Sequence, residues 1–217
     1  MWRWFKEVPE AITENPFDKI RPPRIASEKP VPVLDLAEIE SLLRACSGKR
    51  FDDVRDAAII RTLFATGIRL GELVGLTLDD LDLNTDEILV LGKGRKYRSL
   101  PLSPKTALAV SQYLRRRRTH TYRDTPNLWL GSRGPLKASG VHQLLRRRSR
   151  QAGIDPVHAH QFRHTFASLW LERDHQEGDL MNLAGWSSDQ MIRRYGATQA
   201  QERAKNALRR DALGDLI

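Results

Sequence analysis

Cysteine is almost missing from this chain: Cys46 is the only one in 217 residues. A single thiol cannot close an intrachain disulfide or furnish a cysteine-rich metal site, so the fold must rest on its core, as suits a reducing cytoplasm. Long apolar runs are lacking too. Nothing approaches the roughly 20 residues of a membrane helix, and the opening MWRWFKEVPE has no signal-peptide stretch, so we expect a cytoplasmic protein with no membrane partner. The chain contains no GxxxxGK[ST] pattern, and the GKG at 92–94 alone gives nucleotide hydrolysis little support. Acidic residues are in deficit, 27 against 36 Lys and Arg, which leaves a formal charge of +9 and favours a polyanionic partner, nucleic acid first.

What is present divides into an arm and one sizeable domain. Residues 1–30 carry NPF, RPPR and SEKPVPV, prolines that each remove a donor and bias the preceding residue away from helix, so this stretch reads as an extended N-terminal arm. From Leu34 the periodic signal begins, with Asp35 as N-cap and Leu36, Ile39, Leu42 and Leu43 on one face. Further helices are expected over about 52–65, ending near Gly67, and over 69–76. LDLNTDEILVLGKGRKYRSLPL then changes period and reads as a small antiparallel sheet. Helices return over roughly 104–118, 138–152, 159–172, 177–184, 188–195 and 199–210. The expected fold is mainly α with a small antiparallel β-sheet. The arginine run at 115–118 reads as a solvated helix face. Arg146, Arg147 and Arg150 follow a Gly-rich turn and are candidates for phosphate contacts, as are Lys96 and Arg98 on the expected hairpin.

Three short motifs carry chemistry. In TGIRLGEL, Gly67 permits a tight turn that projects Arg69, and Glu72 falls three residues on, where a helix brings it alongside; alone, this is an ordinary surface ion pair. In HQFRH, His160 and Arg163 share a helical face while Phe162, Phe166 and Leu169 form an apolar stripe, so a base or donor near neutral pH sits beside a bidentate phosphate fork. Taken singly, His160 or His164 reads as a structural histidine. Lys93 lies between glycines in LGKGRKYR and could reach a ligand, with Lys96 competing for that part. Tyr195 follows Trp186 in AGWSSDQMIRRY. A tyrosine hydroxyl beside two phosphate-holding arginines implies covalent attack on a nucleic-acid backbone.

The order Arg69, Lys93, His160 with Arg163, Trp186 and Tyr195 resembles that of the tyrosine recombinases of the phage integrase family, and the likeness covers nearly everything from residue 30 onward. TGIRLGELVGLTLDDLDL resembles the family's first-arginine box, HQFRHTFAS its His-x-x-Arg box, and AGWSSDQMIRRY its nucleophile box. Two positions depart: Trp186 stands where most members have histidine, its indole N–H still able to donate, and Phe162 replaces the usual leucine. The resemblance implies a catalytic domain over 31–217, with residues 1–30 an interdomain linker left from a core-binding domain. It implies a site-specific DNA recombinase or integrase in which Tyr195 forms a 3′-phosphotyrosyl link. Arg69 and Arg163 would hold the non-bridging oxygens, Lys93 would protonate the leaving 5′-oxygen, and His160 would act as base or phosphate donor, with Trp186, Glu72 and His164 in support. With charge supplied by side chains, no metal and no cofactor are expected. The implied partner is double-stranded DNA in the nucleoid, bound by a homotetramer that is a monomer or weak oligomer alone, with the final helix docked on its own domain or on a neighbour. Two alternatives stay open: topoisomerase IB-like relaxation, and a DNA-binding fragment that does not cleave alone.

Overall fold

The structure, a computed structural model, describes residues 32–92, 97–173 and 175–186, all in the unit that begins at Val31. The expected N-terminal arm, Lys93, Lys96, Tyr195 and the last two expected helices lie outside the described residues.

The first helix, α1 (Leu36–Arg44), starts at a capping box: Asp35 accepts from the Ala37 N–H at 3.3 Å, and Glu38 accepts from the Asp35 N–H at 2.8 Å. Ile39 and Leu42 are buried as its periodicity requires, whereas Leu36, expected on the same face, is 49% exposed in the first turn. Helix α2 (Phe51–Thr66) ends at Gly67, whose φ of 58° is the left-handed conformation of a helix stop. Two residues on, Arg69, in extended backbone, caps the short α3 (Leu70–Gly75).

Strands β1 (Leu81–Asp82), β2 (Glu87–Leu91) and β3 (Tyr97–Pro101) form one antiparallel sheet in that order. Residues alternate across it: Ile88, Val90 and Leu100 are buried, while Leu89, Leu91 and Tyr97 face outward. Helix α4 (Pro104–Arg117) follows, then a two-stranded hairpin, β4 (Leu130–Gly131) with β5 (Gly134–Pro135), in the stretch read from sequence only as a Gly-rich turn. The chain continues through α5 (Ala138–Ala152), α6 (Ala159–Glu172) and α7 (Glu177–Ala184). Among the described residues the fold is mainly helical with a small antiparallel sheet.

One large core joins α2, α4, α5 and the first half of α6, with Ile59, Leu63, Val110, Tyr113, Trp129, Leu145 and Phe162 each essentially inaccessible. A smaller cluster of Ala167, Leu171, Leu180, Ala184 and Trp186 packs the second half of α6 on α7. Helix α6 therefore belongs to both clusters, and its polar side is enclosed as well, Arg163, His164, Thr165 and Ser168 all being buried. The expectation of one apolar stripe opposite a shared His160–Arg163 face is refined on that point: His160 is exposed, Arg163 is buried, and Phe166 is only partly buried.

The arginine run also departs from the expected solvated face. Arg117 is 4% exposed and donates to four carbonyls of the following loop, those of Arg123, Thr125, Asn127 and Leu128, at 2.6–3.1 Å. Burying a charge is tolerated where its donors are met, and this loop has turned its carbonyls inward to meet them.

Candidate active site

Arg69, Glu72, Arg98, Arg163 and Trp186 converge at the C-terminal end of α7. That end is built by Gly185 at φ 63°, with the Trp186 N–H reaching back to the Met181 carbonyl at 2.9 Å and the Gly185 N–H to Asn182 at 3.2 Å. This geometry peels the last carbonyls away from the helix, where no N–H of the helix can meet them. Three arginines do. Arg98 Nε donates to the Leu183 carbonyl at 2.8 Å, Arg163 Nη2 to Ala184 at 2.6 Å, and Arg69 Nη2 to Gly185 at 2.8 Å. They come from a strand, a helix interior and a helix cap, and they meet on consecutive carbonyls that also carry the negative end of the helix dipole.

Each arginine has a second anchor. Arg163, 3% exposed, donates through Nη1 to the carbonyl of Gly67 at 2.8 Å, and its guanidinium carbon lies 5.1 Å from the centre of the Trp186 ring. The indole thus presents a π-face to the cation. Gly67 is constrained twice, since a side-chain carbon there would also stand 2.7 Å from the Phe166 ring. Arg69 and Arg98 share Glu72. Its carboxylate accepts the Arg69 backbone N–H at 3.0 Å, Arg69 Nη1 at 2.9 Å, Arg98 Nη1 at 3.2 Å and Arg98 Nη2 at 2.7 Å. Four donors fill the four acceptor positions of the two oxygens, so Glu72 serves as a brace between guanidiniums. Burial would raise its pKa, but the hydrogen bonds from Arg98 and from the Arg69 backbone and side chain outweigh it and hold Glu72 below the usual carboxylate value.

A family comparison bears directly on this arrangement: the description "Phage integrase family" matches residues 32–202, which includes every residue of the cluster. The chain belongs to the phage integrase family. Tyrosine recombinase XerC of Alcanivorax borkumensis is 37% identical over 171 residues, 77% of this chain and 54% of that protein. A crystal structure of XerA recombinase aligns with a TM-score of 0.67 at 29% identity, covering 76% of this chain and 60% of that one. XerH site-specific recombinase, in a post-cleavage complex with its palindromic difH substrate, shares the fold with a TM-score of 0.72 at 23% identity, over 85% of this chain and 55% of that one. The chain spans little more than half the length of the first curated relatives it matches.

Within this phage integrase domain the remaining candidates fall into three groups. His160 joins the arginines: loss of water around its ring and then the charges of Arg163 and Arg69 lower its pKa below the usual imidazole value, and its ring meets that of buried His164 edge-on at 4.4 Å. Arg146 and Arg150 are exposed on α5, whereas Arg147 donates to the buried Asp56 at 2.7 Å and so has an intramolecular partner. Arg98, expected at a DNA phosphate, is instead part of the site's frame, with its side chain 12% exposed. That placement follows from strand alternation, because Arg98 pairs with Val90 and lies two residues from Leu100, both on the core side. Among the described residues no group of three or more His, Cys, Asp or Glu is placed to hold a metal ion.

Proposed function

We propose that this chain is the catalytic part of a site-specific DNA recombinase of the tyrosine type. The observation that carries the reading is the seating of Arg69 and Arg163 on adjacent carbonyls with Trp186 against Arg163. Two guanidiniums fixed by protein acceptors before substrate arrives are preorganised for the non-bridging oxygens of one phosphodiester. The relatives named tyrosine recombinase support the same reading.

In this mechanism the Tyr195 Oη attacks phosphorus, a tyrosyl–phosphate bond forms at the 3′ side and the bond to the 5′-oxygen breaks. The phenol proton passes to a base, for which neutral His160 is the candidate, and Lys93 protonates the departing 5′-oxygen. One phosphodiester is exchanged for another, so the step consumes no cofactor. Tyr195 is favoured among the four tyrosines by what the others do. The Tyr113 hydroxyl is buried between the Leu128 carbonyl and the Leu130 N–H, and burial pushes it up to about 12. Tyr97 faces away from Arg98 across the strand, and Tyr122 lies in a surface turn.

Double-stranded DNA is the proposed substrate, with Arg146 and Arg150 as phosphate contacts, residues 1–30 as an interdomain arm, and a homotetramer as the working assembly. The test is covalent capture from a pool of nicked duplexes with randomised arms. DNA linked to the unsubstituted chain but not to Arg163→Ala is the expected result. Relaxation of plasmids without sequence preference would favour a topoisomerase, and salt-sensitive binding without capture a non-cleaving DNA-binding module.

A further inference from the structure

Arg98 is the least expected member of the cluster, because a strand arginine beside a basic hairpin has the sequence of a DNA contact. Its surroundings give it different work. The guanidinium is enclosed and its edge meets Glu72 in a two-point fork, at 3.2 and 2.7 Å, while Nε reaches the Leu183 carbonyl at 2.8 Å. It is thereby the described side chain that ties strand β3, the cap of α3 and the end of α7 together. Gly185 completes the fit, since a side-chain carbon there would stand 3.1 Å from Arg98 Nη1 and 3.2 Å from Arg69 Nη1.

We propose that Arg98 is a positioning residue for strand cleavage, holding the Arg69–Glu72 pair in register with the end of α7, on which Arg163 also rests. The inference rests on the recombinase reading for its catalytic consequence. Without Arg98, Glu72 loses two of its four donors and keeps only those of Arg69 itself, so the pair is no longer tied to β3 and loses one of its links to the end of α7. An error of about 1 Å in a phosphate-holding group costs roughly 100-fold in rate. Nothing in this role touches DNA, so binding is unaffected.

The experiment compares Arg98→Gln and Arg98→Lys with the unsubstituted full chain on a captured duplex. Expected for Arg98→Gln is a fall of about 100-fold in the single-turnover cleavage rate at saturating DNA, with the DNA Kd and its salt dependence unchanged. Arg98→Lys recovers part of the rate, because one ammonium can meet one Glu72 oxygen but not the fork and the carbonyl together. A saturating rate that holds while binding weakens and the salt slope drops by about 1 identifies a phosphate contact and overturns the proposal. A rate loss that merely follows the loss of folded protein in thermal melts overturns it too. Should the unsubstituted chain cleave no DNA, the recombinase reading fails and Arg98 is judged by carbon-13 NMR titration of Glu72. The Glu72 carboxyl moving up in Arg98→Gln while Asp82, held low first by its own hydrogen bond from the Asn84 N–H, stays in place supports the brace; an unmoved Glu72 refutes it.

Discussion

Arg163 shows how a buried charge is made useful. Its two terminal nitrogens are held by carbonyls from different helices and its face by Trp186, so its position is fixed before any phosphate arrives. Lysine offers a point charge with no fork. Arg163→Lys is expected to lower single-turnover cleavage by about 100-fold or more while changing DNA affinity little. His160 supplies a pH signature. Its folded-state pKa lies below that of the unfolded chain, so the unfolded chain binds more protons and stability declines as pH falls below the ordinary imidazole value of 6.5. In cleavage assays the acidic limb of the rate profile should lie below that value, and His160→Gln should abolish it. Arg69, His160, Arg163 and Trp186 were all recognisable from motif order. Arg98 was recognisable only in part: alternation with Leu100 turned it inward, but nothing local identified Glu72, 26 residues earlier, as its partner.

At the scale of elements, helix ends build the site. Helix α2 stops at Gly67 and offers a carbonyl to Arg163; α7 stops at Gly185 and offers three in a row. Gly185→Ala would place a side chain at φ 63° against two guanidiniums. The backbone cost is about 1–3 kcal/mol, readable as a lowered denaturant midpoint, and the cleavage loss should exceed what the unfolded fraction explains. These ends were visible in the sequence because glycine after a periodic run marks a stop, and α5, α6 and α7 span the residues expected of them. The β4–β5 hairpin was not visible, two-residue strands being too short to show a period.

Across the described residues, arginine serves structure as well as standing as a candidate for DNA contact. Arg55, Arg147 and Arg148 all bind the fully buried carboxylate of Asp56, and Arg148 adds Asp53 and the Ala45 carbonyl, locking α2, α5 and the end of α1 together. Asp56→Ala removes the buried partner of Arg55 and Arg148, leaving them only the carboxylates of Asp52 and Asp53, and should cost about 3–5 kcal/mol in urea unfolding. A formal charge of +9 suggests a polyanionic partner, yet charge counts do not distinguish Arg148 or Arg117, each about 4% exposed or less, from exposed Arg150. That distinction depends on which carboxylates and carbonyls the fold brings inward.

The proposal that arginines seated on one helix end serve a tyrosine nucleophile predicts a covalent adduct on a single residue. It is tested most directly by digesting the captured DNA–protein adduct and locating the attached nucleotide by mass spectrometry. A 3′-phosphonucleotide on Tyr195, with no adduct from Tyr195→Phe, is the expected result; a nucleotide on another residue, or a link through the 5′ end, would contradict it.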